Sequence, residues 1–127
     1  MIPAPGGAPP TLLLVDDEPH ILSTLRRALR REGYRILSAT APAEALRLLE
    51  VEPVDAILSD HKMPGMSGLD LLAAAARRRP AVARLLITGW PHEIPRERLA
   101  ELGICALIPK PWDDGALKRS LREALAR

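Results

Sequence analysis

Phenylalanine is missing from this chain, and one Tyr and two Trp leave only 2% of its residues aromatic. Apolar residues nevertheless make up 47%, so the core must be aliphatic, built from Leu, Ile, Val and Ala. A single cysteine, Cys105, excludes an internal disulfide. It lies inside an apolar run, where a buried and inert thiol is the favoured reading, and a reducing, cytoplasmic setting fits. No apolar run approaches the ~20 residues of a membrane span. Residues 1–10 lack the basic start and apolar stretch of a signal peptide and read as a disordered lead-in. The formal charge of +2 is too small to imply a nucleic-acid partner. Glycine motifs are missing as well. There is no Gly-x-x-x-x-Gly-Lys loop, which excludes a P-loop nucleotide hydrolase, and no Gly-x-Gly-x-x-Gly turn after the first apolar run, which argues against a dinucleotide fold. What remains is one domain over residues 11–127, long enough to bury a core without disulfides or metal staples.

That domain alternates strand and helix without a break. Residues 12–15, Leu-Leu-Leu-Val, are wholly apolar, as a strand covered on both faces requires. Pro19 suits the first turn of a helix with a stripe of Ile21, Leu25, Ala28 and Leu29, stopped by Gly33. Residues 35–39 predict a second strand, at the sheet edge because Tyr34 and Arg35 dilute it. Pro42 opens a helix with Ala45, Leu48 and Leu49 inward, Pro53 ends it, and a third strand runs to Asp60. Ser67 is the expected N-cap of a third helix that reaches Arg79, with Asp70 supporting its positive end. A fourth strand spans 83–88. Pro91 and Pro95 leave room for only a short fourth helix, and a fifth strand follows Gly103. Asp113 then caps a last helix with Leu117, Leu121, Ala124 and Leu125 on one face. Five strands alternating with five helices predict a parallel sheet with helices on both sides.

Four of the apolar runs stop at a reactive polar group. Leu12-Leu13-Leu14-Val15 stops at Asp16-Asp17-Glu18, and Val54-Asp55-Ala56-Ile57-Leu58-Ser59 stops at Asp60. Leu85-Leu86-Ile87 stops at Thr88, and Cys105-Ala106-Leu107-Ile108-Pro109 stops at Lys110. Parallel strands would gather these groups at one carboxyl edge, where open α/β sheets bind their ligands. Singly, each has a plain explanation. Asp16-Asp17 could be a turn before a helix, Asp60 an Asx-turn residue, Thr88 a β-branched strand residue, and Lys110 a surface lysine before Pro111. Jointly those explanations would need four separate turns to place complementary groups together by chance.

The combined chemistry is coherent. Three carboxylates close together repel, so at neutral pH they need a cation or raised pKa values. Oxygen-only ligands favour Mg²⁺, which keeps several waters and takes one or two carboxylates plus phosphate. A lysine and a threonine hydroxyl could hold the remaining phosphoryl oxygens. Phosphoryl transfer relies on such positioning and charge neutralisation.

The residues Val15-Asp16-Asp17-Glu18, Ser59-Asp60-His61-Lys62-Met63-Pro64-Gly65-Met66-Ser67-Gly68, Ile87-Thr88-Gly89 and Lys110-Pro111-Trp112 together resemble the response-regulator receiver domains of bacterial two-component signalling. The resemblance runs from Thr11 to the C-terminus. It implies a flavodoxin-like, doubly wound, five-stranded parallel sheet of order 2-1-3-4-5 with five helices. It further implies that Asp60 is the phosphoacceptor for a sensor histidine kinase or phosphotransfer protein. Asp17 and Asp60 would then ligate Mg²⁺ directly, with the Lys62 carbonyl as a further ligand and Asp16 acting through water. Lys110 would pair with the phosphoryl group, Thr88 would swing to bond it as the switch, and Gly89 would leave room and offer its N–H. Lys110–Pro111 would be a cis peptide, a conformation practically confined to X–Pro bonds.

Some positions depart from the family pattern. Leu107 stands where a switching Tyr or Phe is common. Trp90 is larger and Lys62 more charged than usual, and both are expected to overhang the pocket and slow water's approach to the aspartyl phosphate; Trp90 could equally just pack on the short fourth helix. His20, His61 and His92 lack metal-ligand spacing and read as neutral surface residues. The Arg clusters read as solvated helix faces. The first helix is where the family docks its kinase. Two of Ile21, Leu22 and Leu25 should be core and the third, Leu22, exposed for the partner. The domain is expected to act either alone or as the N-terminal receiver of a longer regulator, with no membrane or direct nucleic-acid partner and an unknown output. Lys110-Pro111-Trp112 hints at receivers joined to cyclic-dinucleotide phosphodiesterase or kinase modules. Two alternatives stay open: a phosphorylation-independent interaction module and a small Mg²⁺-dependent phosphohydrolase.

Overall fold

Residues 8–126 are described by the computed structural model; residues 1–7, which hold most of the expected lead-in, and residue 127 lie outside the described residues. Five strands, β1 (Thr11–Val15), β2 (Arg35–Ala39), β3 (Ala56–Asp60), β4 (Ala83–Thr88) and β5 (Ile104–Pro109), pair in the parallel order β2-β1-β3-β4-β5. The five α-helices are α1 (Pro19–Leu29), α2 (Pro42–Val51), α3 (Gly68–Arg78), α4 (Arg96–Glu101) and α5 (Asp114–Leu125). A 3₁₀ turn, Pro91–Glu93, precedes α4. Fold class, strand order and the shortness of the fourth helix all agree with the sequence-based expectation.

The strand pleat divides the apolar residues between two cores. Leu12, Leu14, Leu58, Leu85, Ile87 and Ile108 face the helices that carry Leu22, Leu25, Leu29, Leu117 and Leu121. Leu13, Val15, Ile57 and Leu86 face the other side, against Ala45, Leu49, Leu71, Leu72, Ala75 and Ile94. All five residues of β1 and of β3 are buried, whereas the edge strand β2 exposes Arg35. Local signals set the helix starts. Pro19 and Pro42 sit in the first turns of α1 and α2. The Ser67 hydroxyl accepts the Asp70 N–H at 3.1 Å and the Asp113 carboxylate accepts the Ala116 N–H at 2.8 Å, each removing an orphaned donor.

Two expectations need correction. Leu22 is buried, 6% exposed, and it is Ile21 that is only partly buried. Leu22, Leu25 and Leu29 follow the i, i+3, i+7 stripe that meets the sheet, which leaves Ile21 on the flank. Cys105 is half-buried rather than enclosed. It lines a cleft of about 300 Å³ at the amino edge of the sheet, with Asp55, Arg84 and Leu125. Strand β5 is an edge strand there and receives cover from fewer elements.

The two-core arrangement makes a direct stability prediction. Leu58, 1% exposed in the middle of the sheet, cannot be truncated without leaving a cavity, so Leu58→Ala should cost about 2–5 kcal/mol in urea unfolding. Val51→Ala, at a position 63% exposed, should stay within about 0.5 kcal/mol of the parent.

Candidate functional site

Parallel register brings the polar strand ends together. Val15 lies beside Ser59, Asp60 beside Ile87, and Thr88 beside Pro109. Asp16 therefore emerges level with Asp60, and Lys110 emerges two strands away on the same edge. Carboxylate oxygens of Asp16, Asp17 and Asp60 all lie within 4.8 Å of one another. The Lys110 ammonium reaches back across the end of β4 to Asp60 Oδ1 at 2.9 Å and Asp16 Oδ2 at 3.0 Å. The Lys110–Pro111 peptide is cis, and the Lys110 N–H donates to the Thr88 carbonyl at 2.8 Å. That anchors the lysine's own backbone to the strand it must cross.

Charge at this edge is unbalanced. Asp16 is buried; its Oδ1 accepts the Glu18 N–H at 2.9 Å while Oδ2 takes the lysine. Asp17 has neither a cation nor a hydrogen-bond donor among the described residues. Burial pushes the Asp60 carboxyl above the ordinary carboxylate range; the Lys110 hydrogen bond opposes this, and the Asp16 charge adds to it. Burial works against the Lys110 charge, yet hydrogen bonds to Asp60 and Asp16 hold its pKa above the usual lysine value. One ammonium thus serves two of three clustered carboxylates and leaves Asp17 uncompensated, a set of hard oxygen ligands whose geometry and charge fit a divalent cation.

A cleft of about 280 Å³ opens over these groups, lined by Asp17, Glu18, Asp60, Lys62, Gly89, Trp90 and Lys110. A Cβ on Gly89 would meet nothing within 4 Å, so the glycine leaves bare space beside Asp60. The positions expected to matter for switching point elsewhere. The Thr88 hydroxyl is buried and accepts the Trp90 N–H at 3.1 Å. Leu107 packs into the core on the α2–α3 side. Trp90 is 53% exposed at the rim, where the Lys62 ammonium stands 4.0 Å from its ring centroid and 3.1 Å from Glu93.

Three contributors were given no role of their own by the sequence. Glu18 lines the cleft beside Asp17, although a glutamate there reads as ordinary helix-start acidity. Glu93 pairs with Lys62 across 31 positions, a separation that no spacing rule covers. Gly68 begins α3 pressed against the backbone of Asp60 and His61. A Cβ there would overlap the Asp60 carbonyl oxygen and stand 2.8 Å from the His61 Cα. Its N–H donates to the His61 carbonyl at 2.7 Å, closing the loop after Asp60. A glycine at the first position of a helix, where it weakens the helix, was the available signal. His61 is not the surface residue expected: it is half-buried, and its Nδ1 is buried without a partner.

A sequence model of the response regulator receiver domain matches residues 12–122. The chain belongs to the response regulator receiver domain family. Among curated relatives, the receiver is 34% identical over 117 residues to the transcriptional regulatory protein GlrR of Escherichia coli K12, covering 92% of this chain and 26% of that one. The chain spans about a quarter to a half of the length of the curated relatives it matches. Among solved structures it superposes on the signal receiver domain of an HD domain-containing protein from Pseudomonas fluorescens Pf-5, with a TM-score of 0.85 and 35% identity. That match covers 93% of this chain and 95% of the other. The response regulator TrrA of Thermotoga maritima, solved in complex with Mg²⁺–BeF, matches with a TM-score of 0.82 and 29% identity over 91% of this receiver and 99% of that chain. No helix among the described residues is long and apolar enough to cross a membrane.

The raised Asp60 pKa gives a signed expectation. The folded receiver binds this proton more tightly than the unfolded chain does, so the group costs stability as pH rises through its folded pKa. In EDTA at neutral pH, Asp60→Asn should melt above the parent. The gap should narrow as pH falls below the ordinary carboxylate range, where Asp60 is protonated in both states. Equal melting temperatures at neutral pH would contradict this.

Proposed function

We propose that this receiver is a phosphorylation-dependent signalling switch whose phosphoacceptor is Asp60. The observation that carries the reading is the Lys110 ammonium shared between Asp60 and Asp16 at 2.9 and 3.0 Å, with Asp17 alongside. In this reading an Asp60 carboxylate oxygen attacks the phosphorus of a phosphohistidine on a sensor kinase or phosphotransfer protein. The P–N bond breaks, and the histidine leaves with its electron pair. Lys110, already at Asp60, holds a phosphoryl oxygen. Gly89 leaves space for the group and offers its N–H. Asp17, Asp60 and the Lys62 carbonyl would hold Mg²⁺, with Asp16 bound through water. The ion would neutralise charge on the transferring group.

Thr88 acts as the moving part. Its hydroxyl accepts from the Trp90 N–H in the present structure, and a phosphoryl oxygen would offer it a charged acceptor for its own proton. Following that oxygen displaces the segment from Gly89 to Pro95, which carries the 3₁₀ turn. Leu107 supplies no aromatic ring to travel with it, so the signal leaves through this segment alone. The domain catalyses only its own phosphorylation and dephosphorylation. Its setting is cytoplasmic, and its output is a module or partner of the kind that makes its curated relatives longer.

Intact-protein mass after incubation with acetyl phosphate tests the reading. One added phosphoryl group is expected, and it should disappear without Mg²⁺ and in Asp60→Asn. An adduct that survives in Asp60→Asn would contradict the role of Asp60, and one that survives without Mg²⁺ would contradict the role given to the metal. No adduct at all, with beryllofluoride also failing to change tryptophan fluorescence, would favour an interaction module that does not use the chemistry.

A further inference from the structure

The rim of the cleft is fastened on one side. Lys62 comes from the loop after β3, while Trp90 and Glu93 come from the segment after β4. The Lys62 ammonium stands 4.0 Å from the Trp90 ring centroid and 3.1 Å from Glu93 Oε1, with the Lys62 and Glu93 side chains 50% and 51% exposed. Lys62 and Trp90 line the cleft beside Asp60; Glu93 does not. The Lys62 ammonium and the Trp90 indole therefore form a clasp at the mouth, and Glu93 fastens the ammonium from outside the lining.

We infer that Glu93 is a positioning residue that, by holding Lys62 over Trp90, limits the access of water and small phosphodonors to Asp60. The inference rests on the proposed role of Asp60 only for its consequence, not for its geometry. Cation–π contacts and ion pairs at exposed positions are individually weak. Here the two share one ammonium, so loss of either partner frees the same side chain. Released, Lys62 regains its rotamers and the indole loses the charge that pins it, and the mouth opens. The clasp spans two loops, one following Asp60 and the other following Thr88. A displacement of Gly89 to Pro95 on phosphorylation would therefore also pull on it.

Access can be measured without phosphoryl chemistry. Asp60→Cys in a Cys105→Ala background places one thiol at the cleft floor, and iodoacetamide alkylation then reports entry. Glu93→Gln and Lys62→Met should each accelerate alkylation by roughly two- to five-fold, the range that exposed ion pairs and cation–π contacts supply. The double variant should be no faster than either single one, and Lys62→Arg, which keeps both contacts, should stay slow. Electrostatics alone would move the two single variants in opposite directions, because losing an anion favours the thiolate and losing a cation disfavours it. Unchanged or opposed rates would overturn the inference. With Asp60 intact, Glu93→Gln should shorten the life of the aspartyl phosphate by a similar factor. A faster-alkylating variant whose phosphate lifetime is unchanged also overturns it. Should the parent take no phosphoryl group, the proposed function fails while the alkylation rates still decide the role of Glu93.

Discussion

One ammonium set against three clustered carboxylates, and paired with only two of them, governs this molecule. Lys110 reaches Asp60 and Asp16 at 2.9 and 3.0 Å, and nothing among the described residues neutralises Asp17. Burial at the sheet edge makes the imbalance costly, because charge is poorly screened where water is scarce. The uncompensated charge suits a cation beside Asp17, and in the proposed reaction a phosphoryl anion would then stand beside Lys110. Either would be unwelcome alone on a neutral surface. Together they complete a charge pattern that the fold leaves open.

The sheet holds that pattern in place. Neighbouring carboxylates could relax apart if they sat on loops, but Asp16 and Asp60 leave adjacent strands whose residues are fully buried. The aliphatic cores on either face lock those strands in register. Gly68 brings the start of α3 hard against the Asp60–His61 backbone, so Asp60 cannot withdraw. Lys110 is fixed in turn by its N–H bond to the Thr88 carbonyl. Stability in the strands thus holds repulsion at their tips, a common division between scaffold and site. The rim follows another rule. Lys62, Trp90 and Glu93 are half exposed and only weakly tied, as the inferred control of entry would need.

Much of this was legible in the residues themselves. Apolar runs of four to six residues between Pro and Gly signals marked the strands, and Ser67 and Asp113 announced two helix starts through their side-chain oxygens. Carboxyl-edge clustering then followed from parallel strands without any knowledge of their order. That order came from the family resemblance, since periodicity does not say which strand lies beside which. Helix phase was less readable. Ile21 and Leu22 are adjacent and equally apolar, and only contact with the sheet decides that Leu22 turns inward. Cys105 looked enclosed because its neighbours are apolar, yet β5 lies at the edge. Pairings such as Lys62 with Glu93 depend on how two loops meet in space, and residue spacing does not encode that.

In the proposed reading the cluster of Asp16, Asp17 and Asp60, compensated by Lys110 alone, is an oxygen site for a divalent cation held open by the fold. Thermal unfolding with and without millimolar Mg²⁺ at constant ionic strength tests it most directly, since a ligand that binds only the folded state raises its stability. The melting temperature should rise with Mg²⁺ in the parent and not in Asp17→Ala. A parent indifferent to Mg²⁺, or an Asp17→Ala variant stabilised as much as the parent, would contradict the account.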